Sequence, residues 1–198
     1  MSATYDVVIA GGAVMGSSIA YHLMRQAGFS ARVLVIERDR TYARAASALS
    51  ASSIRQQFSQ AVNIRISLYG IAFLRNLDQH LGIDGDMPAI GLSEGGYLYV
   101  AHEAGLRVLE ENHVLQAREG ADIALFDPGQ LAARFPWLSL DDGIAGGSFG
   151  RTGEGWFDGY GLMQAFQKKA RALGADYRQA EVADVIRTGN RITGVRLP

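Results

Sequence analysis

The stretch VVIAGGAVMGSS, Val7 to Ser18, places three glycines within six positions directly after an apolar run. Few chains can accommodate so little side chain there. Tyr5 to Ala10 reads as a short strand buried on both faces. Ile19, Ala20, Leu23, Met24 and Ala27 then recur at helical spacing, with Gly28 as the expected C-terminal stop. RVLVIE, Arg32 to Glu37, is a second buried strand. Strand, glycine turn, helix and parallel strand thus fit within 37 residues, the context that a dinucleotide-binding fingerprint requires. Gly11 permits the sharp turn out of the first strand, and Gly16 lets the helix pack closely. The backbone N–H groups of the segment Gly12, Ala13, Val14, Met15 face a pyrophosphate at the helix start. Glu37 lies 21 positions after Gly16, where a carboxylate accepts hydrogen bonds from ribose hydroxyls and disfavours a 2′-phosphate. One departure is Ala13 at the middle glycine position. The fingerprint leaves NAD and FAD both open.

The rest of the composition narrows the class by exclusion. With 19 basic and 20 acidic residues among 198, no clustered positive excess is available for nucleic acid or an anionic membrane. Cysteine is absent, which removes disulfides, thiolate metal sites and cysteine nucleophiles and fits a reducing compartment. No apolar run reaches membrane length and no secretory leader is visible, so a cytoplasmic protein is expected. GGSFG, Gly146 to Gly150, matches a nucleophile elbow, but no helix follows it and no histidine follows His113. Asp84 and Asp86 suggest a calcium loop whose twelfth position is Gly95 rather than glutamate. No metal site is expected.

Beyond the fingerprint, ERDRTYARAASALSASSIRQQFS and GEGWFDGYGLMQAFQKKARALGADYRQAEVADV, with GYLYVAHEAG and FDPGQLAARFPWL between them, resemble the FAD-dependent oxidoreductases of the D-amino-acid oxidase, sarcosine oxidase and dimethylglycine dehydrogenase family. The resemblance covers essentially the whole chain. It implies FAD as cofactor, with Ser47, Ala48, Ser50, Ser52 and Ser53 beside the phosphates and flavin ring, and Val182 touching adenine through its backbone. It also implies that Arg55 faces a substrate carboxylate, a role suited to a guanidinium fork; a structural salt bridge is the competing account. Arg38 and Arg44 fit either the adenosine and phosphates or a solvated surface, and the small residues of Ala45 to Ser53 fit either a flavin-facing backbone or a linker. With no cysteine, and no histidine between His22 and His80, the loop after Glu37 offers no covalent attachment point, so non-covalent FAD is expected.

The implied reaction is oxidation of the carbon–nitrogen bond of a small amino acid or N-methylated amine. Two alternatives stand beside it: a non-catalytic flavoprotein, since SIRQQFS resembles members associated with respiratory-complex assembly, and an NAD-dependent dehydrogenase. The expected fold is α/β, a Rossmann-like doubly wound FAD-binding domain over 1–85 and 150–198 with an inserted α+β substrate subdomain over 86–149. Within the insert, helices are expected from Glu103 to Glu119, with Leu106, Leu109, Val114 and Leu115 on the apolar side, and from Pro128 to Pro136, capped by Asp127. A helix over Tyr160 to Leu173, a third parallel strand at Tyr177 to Val182 and a hairpin about Gly189-Asn190 complete the pattern. Family members run about twice this length, in keeping with two-domain chains, so the resemblance implies an N-terminal portion whose partner is the remaining half or a second copy.

Overall fold

The computed structural model describes residues 4–198. In chain order its elements are β1 (Val7–Ala10), α1 (Val14–Met24), β2 (Val33–Glu37), β3 (Ser53–Ile54), α2 (Ala61–Arg75), α3 (Leu77–Leu81), β4 (Tyr97–His102) and α4 (Glu103–Arg118). They continue with β5 (Ile123–Phe126), α5 (Pro128–Arg134), β6 (Ile144–Gly150), β7 (Gly155–Trp156), α6 (Gly159–Ala172), β8 (Asp176–Gln179), β9 (Asp184–Thr188) and β10 (Arg191–Arg196). No helix among the described residues is long and apolar enough to cross a membrane.

The chain divides into two compact units, Met1–Ala51 with Leu77–Ile90 and Asp158–Pro198, and Ser52–Asn76 with Gly91–Phe157. These boundaries differ from those drawn from sequence. Residues 52–76 and 150–157 group with the inserted unit because β3 pairs with β7 and α2 packs on that unit's own core; residues 1–3 of the expected first domain lie outside the described residues.

The first unit is built on a parallel sheet of order β1-β2-β8, with Val7 opposite Val33 and Leu34 opposite Asp176. This is the expected 3-2-1 half of a doubly wound sheet. Val33, Val35 and Ile36 of β2 are at most 2% exposed, each burial worth about 1.5–3 kcal/mol. Helix α6 presents Leu162, Met163, Ala165, Phe166 and Ala170 to the interior, and α1 presents Ala20 and Tyr21; the Tyr21 and Phe166 rings lie 5.5 Å apart. Asp158 caps α6, accepting from the N–H groups of Tyr160 and Gly161. Helix α1 ends at Met24, short of Gly28, which occupies the following turn at φ +78°. The third strand is likewise shorter than expected, stopping at Gln179. Gly189 at φ +60° opens the β9–β10 hairpin, as the first central residue of a type II′ turn requires.

The second unit centres on an antiparallel sheet of order β4-β6-β5. One core joins Leu131, Phe135 and Phe149. Another joins Ile64, Ala121 and Ile123, with Phe58, Leu68 and Leu115 against them. Asp127 and Gln130 form a reciprocal capping box at the start of α5. Val114 is not on the apolar side of α4: it is 69% exposed, and the buried position is Gln116, whose amide donates to the Phe58 carbonyl. The elbow-like Ser148 is a buried strand residue whose hydroxyl donates to Gln57 Oε1.

Candidate functional site

In the first unit, Gly11 adopts φ +99°, and its N–H extends the parallel ladder to the Ile36 carbonyl at 2.8 Å. The turn brings the start of α1 back over the loop so closely that a Cβ on Gly16 would lie 1.8 Å from the Gly11 carbonyl oxygen. Only glycine fits there. Helical bonding begins with Ser17 N–H to the Ala13 carbonyl, so the amides of Val14, Met15 and Gly16 have no intrahelical partner. No side chain caps this end and its first turn holds no acid. Ala13, at φ −67°, needs no left-handed backbone. Ser17, fully buried, donates to the Gly12 carbonyl at 2.6 Å and receives the Tyr177 hydroxyl at 3.2 Å, fixing the loop from beneath.

Glu37 ends β2 beside this loop. One carboxylate oxygen accepts the Gly12 N–H at 2.7 Å and the other the Asp39 N–H at 2.8 Å. The Gly12 amide is therefore committed to Glu37 rather than free for a pyrophosphate. A cleft of about 670 Å³ opens here, and Gly11, Ala13, Glu37, Arg38, Arg44 and Val182 all line it. Arg38 reaches Glu181 at 3.6 Å, with both side chains more than half exposed, a pair of little energetic weight. Tyr42, which the sequence analysis does not single out, also lines the cleft; it is buried at φ +56°, and its hydroxyl accepts from Gln167 at 2.6 Å. Burial pushes its phenol pKa up, and the Glu37 charge adds to the shift.

Ser47, Ala48 and Ser50 follow in turns and bends, held in part by Ala48 N–H to the Ala45 carbonyl; of that run Ala45 reaches the cleft lining. Met15 points outward, 72% exposed. An open helix start, a close glycine turn, a strand-terminal carboxylate and a cleft suit the diphosphate and adenosine half of a dinucleotide.

Ser52, Ser53 and Arg55 belong to the second unit. Ser52 sits at φ +51° with its carbonyl accepting from Phe157 N–H, and Ser53 pairs with Trp156 in the β3–β7 ladder. The Arg55 guanidinium lies 5.0, 5.8 and 5.9 Å from the ring centroids of Phe58, Tyr97 and Tyr99. It makes no ion pair among the described residues. Its positive charge is thus framed by aromatic rings and retains its hydrogen-bonding fork, which is the condition a carboxylate ligand needs. Behind it lies a residue that sequence reasoning missed: Glu154, fully buried, accepts the N–H groups of Gln56 at 2.5 Å and Gln57 at 3.1 Å. Burial pushes its carboxyl pKa up, opposed by these hydrogen bonds and by the Arg55 charge. The only signal was an acid set between two glycines. His102 and His113 bond to the carbonyls of Gly143 and Ile123, and no metal-binding group of three or more His, Asp or Glu occurs among the described residues.

The chain is 45% identical over 182 residues to FAD-dependent oxidoreductase domain-containing protein 1 of Xenopus laevis, covering 90% of this chain and 36% of that protein. Among solved structures, L-proline dehydrogenase from P. horikoshii shares the fold with a TM-score of 0.84 at 23% identity, over 100% of this chain and 50% of that one. Glycine oxidase from Bacillus cereus matches with a TM-score of 0.73 at 26% identity, over 98% and 51%. The chain thus spans about a third of the curated relative and half of the solved chains. The family model for FAD dependent oxidoreductases matches residues 6–197, and with the glycine turn, the open helix start and Glu37 arranged as described, the chain belongs to the FAD-dependent oxidoreductase family.

Proposed function

We propose that this chain supplies the adenosine-diphosphate site and the substrate-carboxylate contact of an enzyme that oxidises the carbon–nitrogen bond of a small amino acid or N-methylated amine. The single observation that carries the cofactor half is Glu37, locked by two backbone N–H groups at the lip of the glycine loop. Each of its oxygens keeps a free lone-pair direction for a ribose hydroxyl. The unpaired amides at the start of α1 would hold the diphosphate, and Val182 and Arg44 would flank the adenosine. Held by these residues, FAD would supply the acceptor for the hydrogen and electron pair lost from the substrate carbon. For the substrate, Arg55 would receive a carboxylate in bidentate fashion, and the rings of Phe58, Tyr97 and Tyr99 would hold the guanidinium plane and exclude water from it. The name of the glycine oxidase matched at 26% identity supports this reading, since glycine is a carboxylated amine.

The experiment is FAD titration of the purified chain followed by flavin fluorescence. Glu37→Ala is expected to weaken FAD binding at least tenfold, whereas NADP is expected not to compete. Equal FAD affinity in the variant would remove Glu37 from the site. Acid precipitation is expected to leave the flavin in the supernatant, as a non-covalent cofactor requires. The isolated chain, which spans about half of the solved chains it matches, is expected to bind FAD with little or no turnover. If a chain completed to the relatives' length binds FAD and anaerobic amines never bleach it, the protein is a flavoprotein without amine oxidation.

A further inference from the structure

We propose that Glu154 is the positioning residue of the carboxylate site, a buried anion that fixes the segment carrying Arg55 and ties it to the strand that supplies the aromatic frame. The inference rests on Arg55 being the substrate contact, as argued above.

A carboxylate buried without partners costs several kcal/mol, so its neighbours show what it is there to hold. Glu154 Oε1 accepts both the Gln56 and Gln57 backbone N–H groups, and Oε2 accepts the Gln57 side-chain amide at 2.8 Å. The two residues directly after Arg55 are therefore pinned through their backbone, which leaves the Arg55 carbonyl end of the segment little freedom. That carbonyl is itself taken by the Ser67 hydroxyl. Both N–H groups of the Gln57 amide are committed, the second donating to the Tyr97 carbonyl at 2.8 Å, and its oxygen accepts the Ser148 hydroxyl at 2.5 Å. Strand β4, which carries Tyr97 and Tyr99, is thus joined to Glu154 through one side chain. The surrounding backbone leaves just enough room for this carboxylate. A Cβ on Gly150 would lie 1.9 Å from Glu154 Oε2, and one on Gly153 2.2 Å from the Gln56 amide nitrogen.

Glu154 is fully buried and cannot touch a ligand, so it acts through Arg55. The sign of its effect separates two accounts. As a mere counter-charge, its removal would strengthen anion binding at Arg55, since an attenuating negative charge would be gone. As a positioning residue, its removal weakens binding, because the guanidinium loses its aim.

The test uses the full chain, 15N-labelled at arginine, titrated with acetate at pH 7.5 and read at the Arg55 Nε–Hε resonance, assigned through Arg55→Lys. Wild type is expected to show a saturable shift. Glu154→Gln, which keeps an acceptor for the two backbone N–H groups but presents an amide NH₂ to the Gln57 amide, is expected to bind acetate at least fivefold more weakly while its far-ultraviolet dichroism stays native. Equal or tighter binding overturns the inference and leaves the Arg55 assignment intact. A wild-type resonance that never moves with acetate removes both. If Glu154→Gln does not fold, Gln57→Met takes its place: it cuts the side-chain link and leaves the backbone bonds to Glu154, so weaker acetate binding is expected and unchanged binding overturns the proposal.

Discussion

Glu37 and Glu154 are both carboxylates holding backbone N–H groups, yet they sit in different environments. Glu37 is only partly buried and faces a cleft, so its remaining lone pairs are available to a ligand. Glu154 is sealed, and burial raises its carboxyl pKa above the ordinary 4.5. The pH consequence follows from that direction. With the folded pKa above the unfolded one, the native state binds more protons in the window between them, so stability falls as pH rises through it. The contribution is fully present below about pH 4.5 and is lost above the folded pKa. Compared with Glu154→Gln, in which that titration is absent, the wild-type chain is expected to lose relative stability as pH is raised from 4.5 towards neutrality, measured as urea midpoints at several pH values. A difference between the two proteins that stays constant with pH would show that Glu154 titrates normally. Glu94 is shifted the opposite way, lowered chiefly by its hydrogen bonds from Arg75 and also by the Gly153 N–H, so its contribution is lost on acidification and does not mimic the Glu154 signal.

At the scale of elements, the caps are the most local features and the most directly testable. Asp158 satisfies two amides at the start of α6, the helix that packs against the fingerprint helix α1. Asp158→Ala is expected to cost about 1 kcal/mol of stability, read as a lower urea midpoint with unchanged slope; no change would mean that solvent satisfies those amides equally well. The same locality decides what was legible in sequence. Gly11, Gly16, Glu37 and Asp127 could be read because each acts on a turn, strand or helix start encoded within a few tens of residues. Helix α2 was not read: Val62, Ile64, Ile66 and Leu68 alternate with period two, as a strand would, and Gly70 interrupts the helical pattern. Tyr42 and Glu154 escaped for another reason. Their partners Gln167 and Gln56 lie 125 and 98 residues away, and no spacing rule reaches across such distances. Val114 failed because an apolar residue on a helix need not face the core, and α4 buries Gln116 instead.

For the whole molecule, the informative fact is that the chain covers about half of the solved relatives while folding into two units with their own cores. Exposed apolar side chains occur along the whole chain, but three of them gather on one element. On α2, Val62, Ile66 and Tyr69 are 56%, 65% and 61% exposed, and their spacing of four and three puts them on one helix face. Beside them Ile54, Phe58, Ile66 and Gly70 line an open groove of about 410 Å³. A contiguous exposed apolar face of this kind favours association. The purified chain is therefore expected to sediment as a concentration-dependent mixture of monomer and larger species. Ile66→Lys combined with Tyr69→Lys changes solvent-facing positions and leaves the buried Ile64, Ile71 and Leu74 untouched. It is expected to shift sedimentation velocity towards the monomer with little change in the urea midpoint. If the substituted chain associates as strongly as the parent, the contact lies elsewhere and this face of α2 is not what the chain seeks to bury.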